Sequence, residues 1–287
     1  MIIDAHNHPD WHGHDLGRFL ENMEMNDIDV TWLLTWIAPE SEYAGSYGGV
    51  LPTMLYKGPV PFERALYYKE KYPEKFVLGY CPDPREPDAI SKLRSAVKIY
   101  GVKVCGELKL RMMYDNPDAI RFFRECGELG LPVTVHLDYE FDNVENHPWS
   151  NFWYGGGIDA FERAVAACPD TIFMGHAPGF WAHISGDDKF DKTPYPDGPV
   201  LPGGRLIEIF DKYDNVYGDL SAGSGCNALS RDPGHALMFI EKYQDRLVYA
   251  RDYFDDRHRK FIDSLKLSGE VRDKIYYKNA LKLVPLD

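Results

Sequence analysis

Cysteine is scarce in this chain and poorly arranged for chemistry. Cys81, Cys105, Cys126, Cys168 and Cys226 are odd in number, widely scattered and without a C-x-x-C pair. They read as reduced thiols of a cytosolic protein rather than a disulfide framework. Positive charge is short as well. Lys and Arg total 32 against 45 Asp and Glu, a net charge of −13. Such a surface argues against nucleic acid or an anionic membrane as the main partner. It does not exclude an anionic substrate, because a bound metal ion can dominate the local field of a site. No apolar stretch approaches the roughly 20 residues of a membrane span. No basic segment followed by an apolar one opens the chain, so no signal peptide is expected. Linkers, low-complexity segments and short repeats are missing too.

What remains is an ordinary globular composition, 44% hydrophobic and 27% charged over 287 residues. Eight short β-like runs recur: 1–5, 30–36, 76–81, 104–110, 132–138, 171–177, 216–221 and 247–253. Helix-like stretches lie between them. Leu16, Phe19, Leu20 and Met23 follow a helical spacing, and Asn116-Pro117 opens a helix through about Glu128. Others fall near 62–72, 86–100, 157–167, 204–213, 235–244, 257–265 and 268–284. Strand and helix in alternation mean parallel strands joined by crossover helices. Eight units fit one α/β domain over 1–287, a (β/α)₈ TIM barrel. The strand-to-helix links 37–61, 139–156 and 178–203 are long and the return links short. Long loops on one face predict a lid over a pocket, rich in aromatics such as Tyr43, Tyr47, Tyr56, Trp149, Phe152, Trp153 and Trp181.

In a barrel, chemistry belongs at the strand ends. His6 and His8 sit two apart after the first run, so they should project together. The fourth strand carries Glu107 and Lys109, the fifth ends at His136, the sixth at His176, and the eighth carries Asp252. Mixed nitrogen and oxygen ligands of this kind suit Zn²⁺, with Mn²⁺ or Fe²⁺ as alternatives. Trp36, Trp181 and Lys109 are candidates to contact substrate. Asp219 reads as a cap or loop anchor, and Ser221 and Ser224 as pocket lining. His12 and His14 read as loop residues, and His183, His235 and His258 as surface or loop residues.

The segments DAHNH (4–8), GELKL (106–110), VTVHLD (133–138), MGHAPGFW (174–181), YGDLSAGSG (217–225), RDY (251–253) and KNALKL (278–283) together resemble the amidohydrolase superfamily. Within it they are most similar to the amidohydrolase-related group that includes aminocarboxymuconate semialdehyde decarboxylase. The resemblance implies that His6, His8 and His136 bind a divalent metal, and that Asp252 binds it, accepts a proton, or does both. It implies that His176 binds a second ion or polarises the substrate. Glu107 would bridge two ions, bind one, or support the ligands. The implied activity is metal-dependent hydrolysis of a small amide, lactone or ester. Non-oxidative decarboxylation of an aromatic or unsaturated acid is the alternative. The family usually has Gly followed by Ser or Thr before the last aspartate, whereas this chain has Ala250-Arg251. Arg251 is expected to point away from the axis, toward an acidic partner behind the strand. A small-molecule substrate is expected, and exposed aromatics leave room for a homodimer.

Overall fold

The structure, a computed structural model, describes residues 1–39, 42, 60–138 and 154–286. Eight strands stand where the eight runs predicted them: Ile3–Asn7 (β1), Val30–Leu33 (β2), Phe76–Leu78 (β3), Cys105–Leu108 (β4), Val133–His136 (β5), Phe173–His176 (β6), Val216–Asp219 (β7) and Leu247–Val248 (β8). Their pairings are all parallel, in a sheet β1-β2-β3 and a sheet β4-β5-β6-β7-β8. Backbone hydrogen bonds cross both gaps between the sheets. Lys103 N–H donates to the Leu78 carbonyl and Tyr80 N–H to that of Val104, both at 3.0 Å. Ala5 N–H donates to the Tyr249 carbonyl at 3.0 Å and Asp252 N–H to that of His6 at 2.8 Å. Sequentially adjacent strands are spatial neighbours throughout.

The core lies in two layers. Inside the curve of the sheets, Val30, Trp32, Leu34, Val77, Val104, Met174 and Val248 form one buried cluster. Alternate residues such as Leu33, Phe76, Val133, Phe173 and Val216 face the helices in a larger one. The helices follow the predicted spacing. Asp15 caps Leu16–Met25 by accepting from Arg18 N–H, and Asn116 caps Pro117–Glu128 by accepting from Asp118 N–H. One helix, Ala222–Ser230, was not anticipated. Its glycines and serines are poor helix formers, so its propensity is hidden and tertiary packing decides. Among the described residues no helix is long and apolar enough to cross a membrane. The lid expected from 37–61 and 139–156 falls mostly outside the described residues, with Tyr43, Tyr47, Tyr56, Trp149, Phe152 and Trp153. The loop 178–203 is described. It folds into short helical turns anchored by Arg231, which donates to Asp187 at 3.1 Å and to the carbonyls of Asp197 and Gly198 at 2.8 Å.

Arg251 turns behind its strand. Its Nε lies 2.8 Å from Asp4 Oδ2 and its Nη1 2.9 Å from Asn22 Oδ1, all three side chains being buried. The Arg251 backbone N–H donates to the same carboxylate at 2.8 Å. The first and eighth strands are therefore tied by a charge pair directly beneath the site.

Candidate metal centre

His6 and His8 share the cavity side of β1, but not through simple alternation. Ile3 and Ala5 pack in the inner cluster while Asp4 faces Arg251. Strict alternation would put His6 with Asp4. The pairing of β1 with β2 loses register between Asp4 and Asn7, and this irregularity brings His6 round to join His8.

The outer nitrogen of each ring is held. His6 Nδ1 lies 2.6 Å from Asp219 Oδ2, and His8 Nδ1 lies 2.9 Å from the Leu34 carbonyl oxygen. Both partners only accept, so each Nδ1 keeps its proton and each Nε2 faces inward, where a bound metal ion would displace the second proton that the surrounding carboxylates favour on these rings. Those two Nε2 atoms face each other at 3.3 Å. Glu107 Oε2 stands 3.5 Å from His8 Nε2 and 3.9 Å from His6 Nε2. Asp252 Oδ1 stands at the same two distances from the same atoms. The other oxygen of Glu107 addresses a different pair: His136 Nδ1 at 2.6 Å and His176 Nε2 at 3.7 Å. His176 is itself oriented by Ser221, whose Oγ lies 2.8 Å from its Nδ1. Three overlapping triads, His6/His8/Glu107, His6/His176/Asp252 and Glu107/His136/His176, could each hold a metal ion.

The electrostatics ask for a cation. Burial disfavours charge on Glu107, Asp219 and Asp252, yet all three stay below their ordinary pKa. His136 holds Glu107 down and His6 holds Asp219 down; the nearby imidazoles of His8, His6 and His176 bring Asp252 to about 2. Burial also works against a charged His6, but Asp219, then Asp252 and Glu107, outweigh it and lift its pKa to about 10. His176, by contrast, is pushed down to about 3 by burial and by His6. Three ionised carboxylates in a dry pocket are costly without a counter-charge. Asp252 Oδ1 and His136 Nε2 are buried with no hydrogen-bond partner. Inward-facing nitrogens, orphaned donor atoms and excess negative charge together fit a divalent metal.

These groups open into a cavity of about 210 Å³, also lined by Trp11, His12, Trp36, Lys109, Tyr195 and Tyr253. Lys109 Nζ lies 4.8 Å from the Trp36 ring centroid and 5.4 Å from that of Tyr154. Trp36 Nε1 donates to the Lys109 carbonyl at 2.9 Å. So Trp36 and Lys109 reach the cavity, as expected of substrate contacts.

Trp181 does not, and the expectation for it is corrected. The chain turns sharply at Ala177 (φ 76°) into the short helix Pro178–Trp181, which carries the indole back into the layer between sheet and helices. There it packs against Phe180 and Phe239 and donates to the Asp219 carbonyl at 2.8 Å. His183 and His258 are buried, not surface residues. The expectation for Asp219 as a mere anchor is incomplete, since it is the hydrogen-bond partner of His6. Sequence spacing held one available signal: Asp219 ends the seventh strand, as the other site residues end theirs. His12 lines the cavity, while His14 stacks on Phe254. Replacing Asp219 by Asn should weaken divalent metal binding by about 10–100-fold, since the amide no longer fixes the His6 tautomer. Titrating the metal-free chain with Mn²⁺ measures this; unchanged affinity would sink the orienting role.

Among curated proteins, none matches this sequence. Solved structures do. An uncharacterised TIM-barrel protein from Bordetella bronchiseptica is 16% identical, with a TM-score of 0.64, over 98% of this chain and 97% of that one. The 5-carboxyvanillate decarboxylase from Novosphingobium aromaticivorans, complexed with manganese and 4-hydroxy-3-methoxy-5-nitrobenzoic acid, is 18% identical, with a TM-score of 0.60, over 96% and 82%. The 2,6-dihydroxybenzoate decarboxylase from Rhizobium is 16% identical, with a TM-score of 0.54, over 98% of each chain. At such identities these likenesses speak for the fold. A family model described as amidohydrolase matches residues 3–286. With that match running through all eight strands and the whole candidate centre, the chain belongs to the amidohydrolase family.

Proposed function

We propose that this protein is a metal-dependent carboxy-lyase that removes CO₂ from a small, flat aromatic or unsaturated acid. The observation that carries the reading is Lys109. Its ammonium lies over two aromatic rings, in the small cavity that bares His8, His136, His176 and Asp252. A cation beside aromatic faces is a seat for a planar anion. Two of the structural neighbours named above are decarboxylases of ring acids, one of them holding manganese, which supports the same choice over hydrolysis. We take the two sheets as one closed barrel, supported by the hydrogen bonds across both gaps.

His6, His8, Asp252 and Glu107 would hold the metal; zinc and manganese both accept a mix of imidazole and carboxylate. A divalent cation held there would offset the negative charge of the bound acid. Lys109 holds the anion and Trp36 sets the ring plane. Asp252 is placed to deliver the proton. Asp252 cannot hold the cation and carry the proton at once, so it would take a solvent proton after the acid binds, leave the cation to His6, His8 and Glu107, and pass that proton to the reacting carbon. As the new C–H bond forms, the C–COO⁻ bond breaks, its electron pair restores the π system, and CO₂ leaves. His176, kept neutral by burial, hydrogen-bonds without adding charge.

Hydrolysis of a small amide, lactone or ester is the second reading. Glu107 favours it, because its two oxygens face two separate sets of imidazoles. Two cations side by side make a strong water-activating site. Incubating the Mn²⁺-loaded protein with ring acids in D₂O distinguishes the two. Decarboxylation releases CO₂ and leaves one deuterium on the carbon that lost it. Turnover of lactones or amides with no CO₂ from any acid would hand the function to hydrolysis. Under the lyase reading, Lys109→Met should raise KM for the acid by about 10–100-fold, the worth of a hydrogen bond to a charged group, while leaving Mn²⁺ affinity unchanged.

A further inference from the structure

Beside the metal centre lies a second cavity of about 430 Å³, lined by Tyr195, Gly223, Cys226, Asn227, Ser230, Tyr253 and Arg257. Tyr195 and Tyr253 line both cavities, so the two are neighbours separated by two side chains. Tyr195 sits close over Gly223, where a Cβ would come within 3.2 Å of its ring. Its loop is held by the Arg231 anchor already described. Tyr195 is partly exposed, and charged groups face it from both sides: Asp138, Asp252 and Lys109 from the metal centre, Arg257 from the annex.

Arg257 begins the helix Arg257–Ser264. Asp255 takes one edge of its guanidinium, with Nε at 2.9 Å and Nη2 at 2.8 Å from Oδ2. Nη1 has no partner among the described residues, so the edge formed by Nη1 and the second hydrogen of Nη2 remains. A guanidinium edge matches a carboxylate bidentately. Ser230, Asn227 and the tyrosine hydroxyls supply further polar groups round it, and among the described lining residues none is acidic, Asp255 being engaged on the other edge of Arg257.

We propose that this annex is a second anion subsite, and that the substrate is an elongated acid carrying a second carboxylate that reaches Arg257 past Tyr195 and Tyr253. This rests on the acid-substrate reading above. One carboxylate lies at the metal centre and reacts. The other is not consumed and sets chain length and selectivity.

The test is binding to the Mn²⁺-loaded protein, read by quenching of Trp11 and Trp36 fluorescence. The probes are benzoate and a series of 4-carboxyphenyl-alkanoates with one to four methylenes. The best-fitting diacid should bind about tenfold tighter than benzoate, as one charge-assisted bidentate contact provides. In Arg257→Gln that advantage should vanish while benzoate affinity stays the same. Ser230→Asp, which places a like charge in the annex, should remove it too and guards against misfolding of the first variant. Benzoate binding with no diacid advantage in the native protein overturns the subsite and leaves the acid reading standing. A diacid advantage that survives both variants overturns the assignment to Arg257. If no acid binds at all, the acid reading fails and takes this subsite with it.

Discussion

Asp252→Ala should abolish turnover and leave the protein folded. Asp252 has one oxygen buried without a hydrogen-bond partner and both oxygens within 3.9 Å of imidazole nitrogens. Its carboxylate is thus committed to the site and not to the scaffold. Removing a positioned acid–base group costs about 10²–10⁴-fold in rate. Loss of a metal-holding group multiplies that, so activity should fall below detection. His6→Ala should behave alike. Circular dichroism should stay native in both variants, while the melting temperature should fall more in His6→Ala, which leaves the buried Asp219 carboxylate without its partner, than in Asp252→Ala. An alanine variant at either position with native turnover refutes the centre.

The largest stability effect is expected at Arg251. Removing its guanidinium strands Asp4 as a buried carboxylate held by the Asn7 amide and the backbone N–H of Arg251, with no cation. Breaking a buried pair from one side costs about 3–5 kcal/mol. Arg251→Met keeps much of the packing volume and should still lose that much, seen as a lower urea midpoint with an unchanged m-value. The double variant Arg251→Met with Asp4→Asn should recover much of the loss, because no charge is then left unpaired. A single variant as stable as the native chain would show that the pair contributes nothing. The substituted family position before Asp252 is therefore a tie between the first and eighth strands, placed beneath the residues they present.

The strand ends were readable because their chemistry is local. A buried parallel strand is a short apolar run, and a His or Asp at its end is visible wherever the next helix begins. His6, His8, His136, His176, Glu107 and Asp252 are all picked out in this way, and the structure brings them together. The inward turn of His6 was not, although its pairing with His8 was. It depends on the loss of register against β2, which a single strand's sequence does not record. Asp219 and Ser221 were underrated for a related reason. Their partners, His6 and His176, lie 213 and 45 residues away, and nothing in VYGDLS marks them. Trp181 misled because a tryptophan in a mouth loop looks like a pocket wall, while the turn at Ala177 sends it into the core. Tyr195 drew no notice at all, being one tyrosine in a loop whose path is set by Arg231.

The sequence by itself determined the alternation of eight strands with helices, the placing of metal-type ligands at strand ends and the amidohydrolase resemblance. Each of these is written in periodicity or in residue type at a segment's end. The tertiary structure alone decided how Glu107 divides its oxygens between two groups of imidazoles, which nitrogens turn inward, and which loop residues reach the cavity. Those outcomes depend on hydrogen bonds between segments far apart in the chain, whose geometry exists only after the strands have come side by side.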